Sequence, residues 1–390
     1  MGLQITMSVA GSPQLASSCQ TNTSKASSTL EHEISRNSQE IGEDKMGTIR
    51  AHIALTAAVL TFGAVPAVAA DSVANFYKGK KINIAVGFGA GGGYSTYMRL
   101  LGLFIGKHVP GNPEVIVTNM PGGGSMKVAN YTYNVAPRDG TFLGVFSIPV
   151  ATEPLLGRKN AKFDAMKFGW LGNMLEATYG CAARGDTKYM SLQDVIDAKK
   201  PVVFGATSAS SYGNQHARVL QSMVGANIKT VLGYRGIKGV GKALEQGEVE
   251  AACAMSVSSL SSTFRQQKES GKFRMIVQFG KKKHPYMDDA THFYSMLKNP
   301  DDVRVADFFF SQAAINRPVA APPGVPAERL AALRAAFRAA VKDPDLLTRA
   351  GKMGIAVNYG SHESVEATLT KLYGSPAAIV TKVKQIMGRK

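Results

Sequence analysis

The segment Gly87-Phe88-Gly89-Ala90-Gly91-Gly92-Gly93 joins an apolar strand pattern, Lys81 to Val86, to a helical pattern that includes Tyr97-Met98-Arg99-Leu100-Leu101. Glycines at the start of a helix expose backbone N–H groups, and such groups hold phosphates or carboxylates. The run also fits the dinucleotide pattern G-x-G-x-x-G, with a strand before it and a helix after. A dinucleotide fold needs in addition an acidic residue ending the second strand; here Glu114 precedes Val115-Ile116-Val117 instead. Gly236-Ile237-Lys238-Gly239-Val240-Gly241-Lys242-Ala243 is nearly a P-loop, but Ala243 stands where Ser or Thr would hold Mg²⁺. His216 follows the hydroxyl-rich Thr207-Ser208-Ala209-Ser210-Ser211. It reads as a helix-surface or ligand-contact residue more readily than as the base of a nucleophile pair. Ser295-Met296-Leu297-Lys298 fits S-x-x-K, a pattern close to chance alone. H-E-x-x-H, G-x-S-x-G and zinc-type Cys/His spacing are absent from the sequence. No catalytic residue, metal or cofactor is therefore expected.

One chemical type recurs instead. Gly89 to Ser95, Ser147 to Thr152, Gly205 to Gly213 and Tyr234 to Gly236 all fall at expected carboxyl ends of strands. Each offers hydroxyls and backbone amides with few ionisable side chains. Ligands of open α/β sheets bind at those ends. Many donors without acid–base machinery indicate binding without chemistry. The candidate ligand contacts are Phe88, Gly89, Ala90, Gly91, Gly92, Tyr94, Ser95, Ser147, Thr207, Ser208, Ser210, Ser211, Tyr234 and Arg235.

These loops need a frame. Strand patterns at Ile82–Val86, Val115–Val117 and Phe142–Phe146 alternate with helical patterns at 95–107 and 128–135, which implies a parallel sheet with helices on its faces. A second series starts near Gly169. Its strands are expected at 180–183, 201–204, 229–232, 250–255 and 274–277, and Ser191-Leu192-Gln193-Asp194 reads as a capped helix start. Residues 285–310 look irregular. A helix from Ala327 carries Leu330, Leu333, Phe337 and Val341 on one stripe. Asp343-Pro344 ends it and caps the next helix, and a final helix is expected from about Ser364 to Met387.

The chain has 390 residues, enough for two domains, and a formal net charge of +17. An excess of this size suits an anionic partner, although dispersed solvated lysine explains it as well. Lys281-Lys282-Lys283 is the sharp basic cluster and has no interleaved aromatics, so no nucleic acid is expected. Met46 to Ala70 shows a short basic start, an apolar run and a small-residue end, which is a secretory signal pattern with cleavage expected near Ala70. Residues 1–45 are polar and without period, either a disordered extension or residues ahead of the true initiator Met46. Cys181 and Cys253 remain after cleavage; a disulfide and two buried thiols are both open.

At this point the chain resembles the substrate-binding receptors of tripartite tricarboxylate transporters, the Bug family. The resemblance spans roughly Phe76 to Met387. It is carried by Ala90-Gly91-Gly92-Gly93 with Arg99, Asn119-Met120-Pro121-Gly122-Gly123-Gly124, and Ala136-Pro137-Arg138-Asp139-Gly140-Thr141. Further along come Gly233-Tyr234-Arg235-Gly236, Gly247-Glu248-Val249-Glu250 and Ala321-Pro322-Pro323-Gly324-Val325-Pro326. It implies an α/β type II periplasmic binding protein: two Rossmann-like lobes joined by crossing strands, with the ligand in the cleft between them. Lobe one would hold 71–175 and 290–390, and lobe two 176–289. The resemblance further implies a monomeric periplasmic receptor for a small organic acid, di- or tricarboxylate or aromatic or aliphatic, served by large and small membrane transporter subunits. Delivery to a sensor kinase without transport is the alternative, and a nucleotide-dependent enzyme is a more distant one. Ser95 stands where the family commonly has Asp. The change either favours acids over amino acids as ligands or makes Ser95 a helix N-cap. Arg235 stands where the family usually has Lys, either to bind a distal carboxylate or to face solvent.

Overall fold

The computed structural model describes residues 66–389. The extension 1–45 and most of the signal pattern lie outside the described residues. Two six-stranded sheets are built, and the same arrangement of strands is used twice.

In sheet one, β1 (Lys81–Val86) pairs in parallel with β2 (Glu114–Asn119) on one side and β3 (Phe142–Val145) on the other. Next to β3 come β11 (Asn316–Ala321), β4 (Gly169–Leu175) and β12 (Gly360–Ser361), all antiparallel to their neighbours. In sheet two, β6 (Val202–Gly205) takes the place of β1, between parallel β7 (Ile228–Val231) and β8 (Ala251–Ser256). Antiparallel β5 (Tyr179–Arg184) and β9 (Phe273–Gln278) follow, then β10 (Thr291–His292) parallel to β9. The chain leaves sheet one after Leu175 and enters sheet two at Tyr179. It returns between His292 and Asn316. In each sheet the fourth strand in the order is therefore the one that has just crossed over, β11 in one and β5 in the other.

Local chemistry explains most of the elements. β3 and β4 are buried along their whole length, as strands covered on both faces must be. Edge strand β2 alternates exposed and half-buried positions. Helices α1 (Pro66–Tyr77), α2 (Gly93–Ile105), α3 (Met126–Asn134) and α4 (Ile148–Ala151) belong to the first series. α5 (Leu192–Ile196) opens with a full capping box between Ser191 and Asp194. α6 (Tyr212–Val224), α7 (Gly236–Gln246), α8 (Val257–Leu260) and α9 (Arg265–Glu269) complete the second series.

The return segment differs from the sequence reading. Residues 300–310, expected to be irregular, form helix α10 (Pro300–Phe310). Asn299 caps it by accepting from the Asp301 N–H, Pro300 opens it, and Phe308, Phe309 and Phe310 are buried. Beyond it, α11 (Ala327–Val341) ends before Asp343, whose carboxylate caps α12 (Pro344–Lys352) and also takes Lys107 at 2.7 Å and His108 at 2.9 Å. Hydrogen bonds from those two bases hold the Asp343 carboxyl well below the usual carboxylate range. The single final helix expected is in fact two, α13 (His362–Tyr373) and α14 (Ala377–Ile386). The break falls at Gly374-Ser375-Pro376, where proline cannot continue the first helix but can open the second.

Cys181 and Cys253 face each other on β5 and β8 and form a disulfide that closes a separation of 72 residues. Loop closure of that length restricts the unfolded chain by about 4 kcal/mol in the chain-entropy model. Replacing both cysteines with alanine should lower the unfolding midpoint by roughly 5–10 °C. Calorimetry of that variant beside the oxidised wild type is the check, and equal midpoints would show that the bridge adds nothing.

Candidate functional site

The carboxyl ends of β1 and β3 in one sheet, and of β6 and β8 in the other, face a common cleft. On the first wall, β1 ends at Val86 and the chain turns through Gly87, where an added Cβ would collide with Ser125 and Val128. Gly91 takes φ 78°, a left-handed conformation that suits glycine. Gly92 is the N-cap of α2 and supplies no side-chain cap, so the first amides of that 13-residue helix face the cleft without a local acceptor. On the opposite wall α7 starts the same way: its N-cap, Arg235, makes no capping bond. Ser211 caps α6 by accepting from the Asn214 N–H, and Ser256 caps α8 by accepting from the Ser259 N–H.

Charge is distributed unevenly here. The residues lining the cleft include Arg235, Lys238 and Arg317 and no Asp or Glu. Among the described residues none of the three forms an ion pair. Arg317 is 4% exposed and has φ 60°, which is costly for a residue with a side chain. Its guanidinium lies 4.3 Å from the Tyr94 ring centroid and 5.1 Å from that of Tyr97. Nη1 donates to Asn316 Oδ1 at 2.7 Å, and Nε has no partner. Nη2 lies so near Gly93 that a Cβ there would come within 2.8 Å of it. Asn316 is shared: it accepts from Tyr94 Oη at 3.0 Å and donates to Tyr179 Oη at 2.6 Å. Burial pushes Tyr94, Tyr179 and Tyr212 above the usual phenol range, so all three stay neutral.

At the rim the walls touch. The loop Gly122-Gly123-Gly124-Ser125 has φ values of 152°, 55°, 68° and 82°. Ser210 Oγ donates to the Gly123 carbonyl at 3.3 Å, and the Ser208 side chain lies against Gly124 where a Cβ would clash. Lys238 Nζ stands 3.7 Å from the place a Cβ on Gly91 would occupy.

A cleft that presents uncapped helix N-termini and unpaired cations between two crossing sheets has the electrostatics to suit an anion. The sequence agrees with that architecture at the level of families: the model of the tripartite tricarboxylate transporter family receptors matches residues 108–372, more than half of the chain. The chain belongs to this family. It is a family of receptors, not of enzymes. Solved structures share the fold. The periplasmic binding protein BugD aligns with a TM-score of 0.64 at 19% identity, covering 80% of this chain and 98% of its own. A Rhodopseudomonas palustris protein with adipate aligns at 0.61 and 17% identity, covering 79% and 97%. MatC from Rhodopseudomonas palustris with bound malate aligns at 0.59 and 18% identity, covering 79% and 99%. The type II periplasmic binding protein fold expected from the sequence is thus the fold of this receptor.

The structure gathers Phe88, Gly89, Ala90, Gly92, Tyr94, Ser147, Thr207, Ser211 and Arg235 along the cleft. Five other sequence-nominated residues lie elsewhere. Gly91 sits at the rim opposite Lys238. Ser208 and Ser210 belong to the contact with Gly123 and Gly124. Tyr234 points toward Glu248, 3.5 Å away. Ser95 is fully buried inside the first turn of α2, accepting from Asn119 Nδ2 at 3.2 Å. Because Gly92 caps the helix, Ser95 is not the N-cap. Sequence reading missed Arg317, Lys238, Tyr179 and Tyr212. The available signal for Arg317 was a charge inside an otherwise apolar stretch, Arg317-Pro318-Val319-Ala320-Ala321.

His216 is not a surface residue and does not line this cleft. It is 1% exposed within the rings of Tyr179, Tyr212, Phe279 and Phe310. Burial lowers its pKa from 6.5 to about 3. The folded protein keeps it neutral, whereas the unfolded chain protonates near 6.5, so its contribution is complete above 6.5 and is lost as pH falls toward 3. His216→Phe should therefore flatten the fall of the thermal midpoint between pH 6.5 and 4 relative to wild type. Parallel midpoint curves for the two proteins would contradict the burial argument.

Proposed function

We propose that this protein is an extracytoplasmic receptor that captures a small organic carboxylate and delivers it to a tripartite membrane transporter. One observation carries the reading: a cleft with three cationic side chains, Arg235, Lys238 and Arg317, and no carboxylate, beneath the uncapped starts of α2 and α7. An anion entering it meets charge and aligned dipoles with nothing acidic to repel it. The solved relatives with adipate and malate support a carboxylate in particular. The rest of the lining, Phe88, Tyr94, Tyr179, Tyr212, Ile237 and Val240, suits a short carbon skeleton. The signal pattern at Met46 to Ala70 and the family both support export to the periplasm. The large and small membrane subunits typical of the family are its partners. In this reading the ligand bridges the walls and favours the closed cleft, in which Ser210 reaches Gly123.

A panel of mono-, di- and tricarboxylates with matched amines and amides tests the reading by thermal shift and calorimetric titration. At least one carboxylate should raise the midpoint. The stabilisation should be about 2.7 kcal/mol at a ligand concentration one hundred times Kd. A folded protein that responds to no carboxylate would overturn it.

A further inference from the structure

Arg317 stands apart from the other two cations of the cleft. Arg235 and Lys238 are exposed on the wall of sheet two and are solvated by themselves. Arg317 comes from the start of β11, the strand that has just returned from the other sheet, and is held out of water in a strained backbone conformation. A guanidinium cannot shed its proton. Its acceptors, Asn316 Oδ1 and the neutral Tyr179 hydroxyl, carry no charge, the first is already shared with Tyr94, and Nε is unmatched. The aromatic faces of Tyr94 and Tyr97 offset part of the lost hydration but do not neutralise the charge. The guanidinium edge that is left lies at the N-terminus of α2, where Gly93 has no side chain to block it. Guanidinium and helix dipole thus favour an anion at the same place.

We propose that Arg317 is a specificity-determining anchor, forming a direct charge-assisted pair with a carboxylate of the ligand at the start of α2. This rests on the carboxylate-receptor reading. It adds that the deepest group of the ligand is anionic and that the ligand completes a charge pair the folded chain leaves open. Removing one partner from a buried pair is strongly unfavourable, whereas replacing a lone buried charge by an apolar side chain relieves the ligand-free state. Binding and stability should therefore move in opposite directions on substitution, which a purely structural arginine would not produce.

The test uses the purified protein and the best carboxylate from the panel. Arg317→Met should weaken that carboxylate on the order of 100-fold. Its ligand-free unfolding midpoint should equal or exceed that of wild type. Arg317→Lys should recover part of the affinity through charge alone. Gly93→Ala is the second variant: it keeps the arginine but places a Cβ against Nη2, and should weaken binding about 10-fold without lowering the midpoint. Wild-type affinity in folded Arg317→Met overturns the proposal. If that variant does not fold, wild-type affinity in Gly93→Ala overturns it. A wild type that binds no carboxylate removes the receptor reading itself. A wild type that binds carboxylates as tightly as both variants removes the role of Arg317 alone.

Discussion

A guanidinium without a carboxylate, held where the two sheets meet, is the constraint that organises this molecule. Arg317 is 4% exposed, and its neighbours are arranged around its charge. Tyr94 and Tyr97 present ring faces to it, and Asn316 orients it while tying Tyr94 of one wall to Tyr179 of the other. Gly93 leaves it room. Isolated buried charges are costly and survive in folded proteins when the surroundings hold them in place. Here the surroundings come from three separate parts of the chain, α2, β5 and β11. The cleft floor can form only when both crossings are complete.

The repeated strand order supplies the geometry. In each sheet three parallel strands deliver glycine- and serine-rich turns to one edge, and the fourth position is filled by a strand arriving from the opposite sheet. A strand inserted antiparallel at that position begins where its parallel neighbours end. Asn316 and Arg317 on β11, and Tyr179 on β5, consequently start at the ligand-facing edge. Residues at the first positions of these two strands become floor, and residues in the turns after the parallel strands become walls. The disulfide between β5 and β8 fixes the crossing strand to its antiparallel neighbour, and Cys253 itself lines the cleft.

Much of this could be read in the sequence because it is locally encoded. The βα alternation, the Ser191 capping box and the Asp343-Pro344 junction each depend on contacts within a few residues. The crossing elements do not. β4 and β11 are partners separated by more than a hundred residues, and nothing near either signals the pairing. α10 ends in three phenylalanines that lack the periodicity of a surface helix because the element is packed from several sides. Ser95 shows how a small boundary error changes a functional reading. The helix begins at Gly93 and not at Ser95, and that shift turns the serine from the cleft toward Asn119. Arg317 left only a weak mark in the sequence, one charge beside an apolar run, for a related reason. Its importance comes from what does not surround it, and an absent counter-ion is a property of the folded space and not of the local sequence.

The groups lining this cleft are those of a binding site, in keeping with a family of receptors. Catalysis needs groups that change protonation or bonding state, and those groups must be poised near their working pH. The ionisable side chains lining this cleft are Arg235, Lys238, Arg317 and tyrosines, of which Tyr94, Tyr179 and Tyr212 are held neutral by burial. His216, the residue best suited to titrate, is sealed behind aromatic rings with its pKa driven down to about 3. What remains are fixed dipoles and fixed charges. Fixed charges and dipoles lower the free energy of an anion held between them, which is what capture of an anion requires.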